Sequence, residues 1–381
     1  MTIKNLLLGS AAVLALGTSA QAADPIAVAL DTCDLLNITG LTISSESNCL
    51  KIEGDVSYEW SWTNNAAGVN STVSDLDWML KFTATADSDF GPTMAVIELR
   101  EAADKTITAA NSTHAVINNA YVAIGDSSAT VFYAGKKGSI ANDGDDETFT
   151  AIYSLDLDGN DEGIALTGNT GGYVLQVSSS LGDGVTAAVG LEDLGRVSGE
   201  ASLVGALGVS QDWGTAHASF VYDDLIAAAN AWSFHTGATF NVDDMSFRAA
   251  FSTDSASAWT ALITAKATMD MFTLAAGAEF RPANVWEAAV SGVAAVNDAT
   301  TITVAARFDN ASNWDLGLKG AFKVSDTLTA TAKVNFDEAS VTAFEGDLDW
   351  APGGGATVNV GFNIDSNNVS KVSTKFKKTF N

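Results

Sequence analysis

Residues 49–62 read CLKIEGDVSYEWSW. Leu50, Ile52, Val56, Tyr58, Trp60 and Trp62 share one parity, with Gly54 in the gap, and Lys51, Glu53, Asp55, Ser57, Glu59 and Ser61 share the other. A period of two sends successive side chains to opposite faces, which is the geometry of a strand. At about 3.3 Å per residue the run from Leu50 to Trp62 reaches roughly 40 Å, about twice the usual strand of a soluble domain. Such a strand, aromatic on one face and charged on the other, suits an apolar medium on one side and water on the other.

The pattern recurs to the end of the chain. Leu76, Trp78, Leu80 and Phe82 alternate with Asp77, Met79, Lys81 and Thr83; Phe272, Leu274, Ala276 and Ala278 alternate with Thr273, Ala275, Gly277 and Glu279; Leu316, Leu318, Phe322 and Val324 alternate with Asp315, Gly317, Lys319 and Lys323. Turn clusters such as Ser180 to Gly184, Asn241 to Asp244 and Val324 to Asp326 separate the runs at hairpin spacing. A soluble sandwich would alternate too, but its strands are usually about 5 to 6 residues, whereas many runs here approach ten, the length of a tilted membrane-crossing strand. Tyr58, Trp60 and Trp62 close one run while Trp232, Trp259, Trp286 and Trp314 open others, a placement that builds interfacial girdles. Hydrocarbon leaves no edge N–H or C=O unpaired, so the sheet must close. The expectation is an all-β transmembrane antiparallel barrel with the apolar parity on lipid and the polar parity on a wet lumen. Parity alone counts about nineteen candidate strands. No fixed short repeat supports a solenoid.

Lys4, the apolar run from Leu6 to Leu16 and Ala20-Gln21-Ala22 form the three regions of a signal peptide, residues 1–22, followed by one mature domain, residues 23–381. The apolar run is too short to cross a bilayer, and with only 4 Pro and no Ser-rich stretch the rest has no linker. A formal net charge of −27 argues against nucleic-acid binding, which needs bases to neutralise phosphates. Cys33 and Cys49 are the only cysteines in an exported chain, which predicts a disulfide. The rival reading, a metal pair, lacks a nearby His.

The leader IKNLLLGSAAVLAL with SAQAADP, then Cys33, then Cys49-Leu50-x-Ile52-x-Gly54-x-Val56, resembles the start of alphaproteobacterial outer-membrane porins. Asn119-Ala120-Tyr121-Val122-x-Ile124-Gly125, followed by Ala134-Gly135, is similar to that family's stretch ahead of its constriction loop. The resemblance implies a homotrimer, 16 strands per subunit, a third loop folded into the pore, and passive diffusion of small hydrophilic solutes and ions. Its partners would be outer-membrane lipid and lipopolysaccharide. One departure is the C-terminus: such barrels end on an aromatic residue, and here Asn381 follows Phe380.

The candidate constriction loop, Gly138 to Gly163, carries Asp143, Asp145, Asp146, Glu147, Asp156, Asp158, Asp161 and Glu162 and no Lys or Arg. Arg248, Lys266, Arg307, Lys319 and Lys333 sit at lumen-parity positions in the far half of the chain. Acids opposite bases would set a transverse field and favour cations; the bland reading is a solvated acidic loop. An EF-hand frame from Asp158 puts Gly163 sixth but Asn169 where the bidentate Glu belongs, so no metal site or cofactor is expected. His114, His217 and His235 are far apart in sequence and no catalytic motif occurs, which points away from an enzyme. The alternative to an outer-membrane pore is a secreted acidic structural or surface-layer β protein.

Overall fold

The structure, a computed structural model, describes residues 32–101, 115–142, 164, 171–195, 201–223, 225 and 231–381. A one-turn helix, α1 (Thr32–Leu35), and a three-residue strand, β1 (Thr42–Ser44), precede the wall. The first part of the wall comprises β2 (Cys49–Asn64), β3 (Asn70–Ala86), β4 (Thr93–Glu101), β5 (Ala115–Gly125), β6 (Thr130–Lys137), β7 (Gly172–Gly182), β8 (Val185–Glu192), β9 (Ser202–Gln211) and β10 (Gly214–Tyr222). The second comprises β11 (Trp232–Val242), β12 (Met245–Asp254), β13 (Trp259–Met269), β14 (Phe272–Arg281), β15 (Val285–Asn297), β16 (Thr300–Asp309), β17 (Trp314–Ser325), β18 (Leu328–Asp337), β19 (Thr342–Gly353), β20 (Ala356–Asp365) and β21 (Ser370–Phe380). Each wall strand is antiparallel to its neighbour, and β21 returns to β2 in register from Gly54↔Phe380 to Asn64↔Ser370. Among the described residues the wall from β2 to β21 has no free edge, as hydrocarbon demands.

The wall therefore has twenty strands among the described residues, which corrects the sixteen implied by the resemblance. Likeness in a leader and a first strand carries no information about how many hairpins follow. That number depends on how often a turn interrupts the alternation, and the parity count of about nineteen is one short of it. All twenty pair on both sides in the wall, so none is a hairpin within a loop. With neighbours about 4.8 Å apart and a tilt near 40°, twenty strands enclose a cylinder roughly 40 Å across.

The faces are inverted relative to a soluble protein. Ile263, Val304 and Leu318 stay about half exposed on the outside, while Thr303, Gln176 and Glu279 are buried within. The expected assignment of parity to lipid and lumen holds, and the outer band marks a membrane-spanning barrel. Aromatic pairs rim the band at both ends: Phe220 with Trp232, Phe251 with Trp259 and Trp286 with Phe308 at one, Trp213 stacked on Phe240 at the other.

The two ends differ. At the end where β2 begins and β21 finishes, seven hairpins from β7 to β20 close in two-residue turns such as Asp183-Gly184, Asp243-Asp244 and Asp270-Met271, with Asp183, Asp243 and Asp270 at positive φ, as such turns require. At the opposite end five hairpins repeat one design. Asn65, Asp254, Asp309, Asp337 and Asp365 each accept backbone N–H bonds with Oδ1 from within the following four residues. Gly68, Ser257, Ser312, Ser340 and Asn368 take the left-handed position. The closing seam has its own fit: Gly54 leaves room for the Phe380 ring, which a Cβ there would meet at 2.5 Å.

Candidate functional site

The segment between β6 and β7 turns into the barrel at its first residues. Gln176 on β7 and Glu192 on β8 face the lumen and are buried. Gln176 Nε2 donates to the Gly138 carbonyl (3.0 Å) and to Glu192 Oε1 (2.7 Å), and the same Oε1 accepts the Ile140 N–H (3.0 Å). A buried carboxylate is costly unless its lone pairs are met, so once met it fixes the groups that meet it. The 3₁₀ turn Ile140–Asn142 then lays Ile140 and Ala141 against Val204 and Val221, with Ala188 and Ala206 alongside. The segment's other limb is anchored elsewhere: Ile164, 1% exposed, sits among Ala250, Leu262, Ala275, Ala289 and Ala305. Those five face inward from β12, β13, β14, β15 and β16. At the base Gly171, at φ +95°, lies against Lys137 and Ser139, where a Cβ would meet the Lys137 carbonyl oxygen at 2.3 Å.

Two inner-wall sectors, β8–β10 and β12–β16, thus hold the two limbs of one segment. The sequence carries a signal for the Ile164 seat: alanine or leucine stands in place of a polar residue at Ala250, Leu262, Ala275, Ala289 and Ala305 in five successive strands. The loop acids Asp143, Asp145, Asp146, Glu147, Asp156, Asp158, Asp161 and Glu162 lie outside the described residues.

All five sequence-selected bases are on the inner face, but they do not form a uniform ladder. Arg307 bridges Glu287 (2.6 Å) and Asp315 (3.1 Å) across β15, β16 and β17 and is internally neutralised. Lys333 pairs with Glu345 at 3.4 Å and faces Lys319 directly across the β17–β18 ladder. Arg248 donates to Thr239 Oγ1 (2.7 Å), and Lys266 is opposite Ser246 on one side and Ala275 on the other.

A second charged sector lies on the near half. Lys375 and Lys377 of β21 reach Glu59 (3.6 Å) and Asp55 (3.5 Å) of β2, and Lys51 and Lys81 converge on Glu53. The signal for it was the alternation of Lys371, Lys375 and Lys377 with Val372 and Phe376 in the last strand. Glu98 is buried and accepts from Arg100 Nε (2.5 Å), Asn118 and Asn119 (2.9 Å each), which gives the Asn119-Ala120-Tyr121 stretch a structural role. In the turn after β5, the Ser128 N–H and hydroxyl hold the Asp126 carboxyl below its usual range.

His217 and His235, distant in sequence, come together on β10 and β11 with ring centroids 4.9 Å apart; His114 lies outside the described residues. Among the described residues no three His, Cys, Asp or Glu side chains converge as a metal set. Cys33 and Cys49 are joined, both buried, and tie α1 to the start of β2.

No protein-family model matches the chain. It is 29% identical over 154 residues to outer membrane protein IIIA of Rhizobium leguminosarum bv. viciae. The chain is similar to an alphaproteobacterial outer-membrane protein. That likeness bears out the resemblance read from the leader and first strand, and it spans 38% of this chain and 41% of that relative's length. Among solved structures, variants of the Rh. blastica porin match 87% of this chain and 100% of theirs at 14–15% identity and TM-scores of 0.45 and 0.46. A loop-deleted outer membrane protein of Vibrio cholerae matches 88% of this chain and 100% of its own at 11% identity and a TM-score of 0.41. At those scores they carry no weight for the fold, which stands on its own strand pairing.

Proposed function

We propose that the chain is an outer-membrane porin: a water-filled channel for passive diffusion of small hydrophilic solutes and ions, cation-preferring, working as a homotrimer. The observation that carries the reading is the pairing of a closed sheet, apolar outside and charged inside, with a segment latched to the lumen wall at Glu192 and again at Ile164. A cylinder roughly 40 Å across needs such a segment to discriminate among small solutes. The relative's description as an outer membrane protein agrees with it. The surface-layer alternative has no use for an outer face of half-exposed Leu, Ile, Val and Phe.

Cation preference is supported by the eight acids of the 138–163 segment and a formal charge of −27, since a negative constriction concentrates cations and repels anions. Arg307 and Lys333 oppose it less than their number suggests, being already paired with Glu287, Asp315 and Glu345. The trimer rests on the resemblance. Planar-bilayer recording of the purified, folded protein tests the whole reading: stepwise ohmic conductance with a cation-selective reversal potential is expected, and a barrel that migrates as heat-modifiable yet conducts nothing would overturn it.

A further inference from the structure

One cavity is built jointly by the wall and by the segment that precedes it. At the end with the two-residue turns, α1 is pinned by the Cys33–Cys49 bond, by the Thr32 N–H donating to Ser44 Oγ (2.9 Å) and by the pairing of β1 with the start of β2. The Ile38 N–H returns to the Cys33 carbonyl (2.9 Å) and Asn37 takes a positive φ, so the chain after α1 folds back on itself. That reversal half-buries Leu36 and Ile38, while Leu35 stays 63% exposed. Between Leu36–Thr39 and the inner faces of β2, β3, β4 and β6 lies a cleft of about 510 Å³, within the size range of small-molecule sites.

The lining is divided into two halves. Lys51, Glu53, Lys81, Thr83 and Thr85 of β2 and β3 make a charged half; Pro92, Met94 and Val131, with Leu36 and Ile38 above them, make an apolar one. The register sets Lys81 directly opposite Glu53 and Lys51 opposite Thr83. Lys51 Nζ is 2.8 Å from Glu53 Oε1 and Lys81 Nζ is 3.6 Å from Oε2, so two ammoniums share one carboxylate, and all three side chains are only half-buried. The other acid of the lining, Asp126, accepts from the Ser128 N–H and hydroxyl within its own turn. Two positive and two negative groups leave the lining neutral as a whole, with both signs present beside an apolar surface.

We propose that this cleft binds a small zwitterionic amino acid with an apolar side chain. The ligand carboxylate accepts from the Lys51 and Lys81 ammoniums, its own ammonium donates to Glu53, and its side chain lies between Ile38 and Met94. A plain anion or cation brings only one of those charges and leaves Glu53 or the lysines without a matching group. The role of the site, delaying such solutes at the mouth, rests on the pore reading; its existence does not, and the two are tested apart. Calorimetric titration of the folded, detergent-solubilised barrel with L-leucine at low salt should show saturable binding. Glycine, which lacks the side chain, and isovalerate, which lacks the ammonium, should each bind about tenfold or more weakly. Glu53→Gln and Lys81→Gln should each weaken leucine binding about tenfold, and the paired change of Cys33 and Cys49 to Ser, which frees one side of the cleft, should abolish it. Lys323→Gln, which removes a charge outside the cleft, should leave it unchanged. If Glu53→Gln does not fold, Ile38→Asn, on the segment and not the wall, carries the test with Lys81→Gln. No saturable leucine binding, isovalerate or glycine binding as tightly as leucine, or binding indifferent to release of the disulfide overturns the site whether or not the barrel conducts; leucine binding without conductance in planar bilayers upholds the site and overturns the pore.

Discussion

Replacing Leu318 by Arg tests the assignment of faces with a large expected effect. Leu318 is 46% exposed on the outer surface of β17, and its cross-strand partners Val304 and Val334 share that face, so an arginine there finds no counter-charge beside it. Trp314 of the loop-end girdle is four residues away. At about 3.3 Å per residue and a tilt near 40°, position 318 lies roughly 10 Å inside that girdle, close to the middle of an apolar band about 25 Å tall. An arginine near the midplane costs roughly 2 to 4 kcal/mol, so about 3 kcal/mol, or roughly a hundredfold in the folding equilibrium, is expected. The matched lumen variant is Thr331→Arg, whose cross-strand neighbours are Ala321 and Asp347. There the guanidinium stays hydrated beside a carboxylate, and the change should stay within about 0.5 kcal/mol. The assay is refolding from urea into vesicles, with the folded fraction read from heat-modifiable gel migration. Coincident urea midpoints for the two variants would refute the assignment of parity to lipid and lumen.

Three further outcomes are expected. Opening the Cys33–Cys49 bond, which closes a separation of 16 residues, should expose the stretch from Cys33 to Asn48 to limited proteolysis and cost about 3 kcal/mol of loop-closure stabilisation; proteolysis maps identical with and without reductant would count against it. Glu192→Ala removes the acceptor of both the Gln176 amide and the Ile140 N–H, and Ile164→Asp sets a carboxylate on an alanine seat, so each should release one limb of the segment and raise single-channel conductance. Unchanged conductance in both would mean that the segment does not narrow the channel. Neutralising Asp145, Asp146 and Glu147 to Asn, Asn and Gln should lower cation preference, most at low salt where screening is least; an unaltered reversal potential across a salt gradient would remove these acids from the constriction.

Period-two alternation determined the class of fold by itself. Leu316, Leu318 and Phe322 opposite Asp315, Lys319 and Lys323 mark a strand with unlike faces, and strands of about ten residues with girdle tryptophans favour a lipid setting over the surface-layer alternative. The disulfide was equally legible, because two cysteines in an exported chain leave one pairing. Strand number was not, because closure is a property of the whole sheet: the return of β21 to β2 fixes twenty, and no local stretch encodes it. Nor could sequence say which partners each base takes. Arg307 looks like Arg248 along its own strand, and only the register across β15, β16 and β17 sets it between Glu287 and Asp315. The contacts that shape the lumen join residues far apart in the chain, such as Ile140 with Glu192 and Ile164 with Ala305. Alternation reports which face a side chain takes; what it meets on that face depends on strands brought alongside by closure of the barrel, and that was decided by the tertiary structure alone.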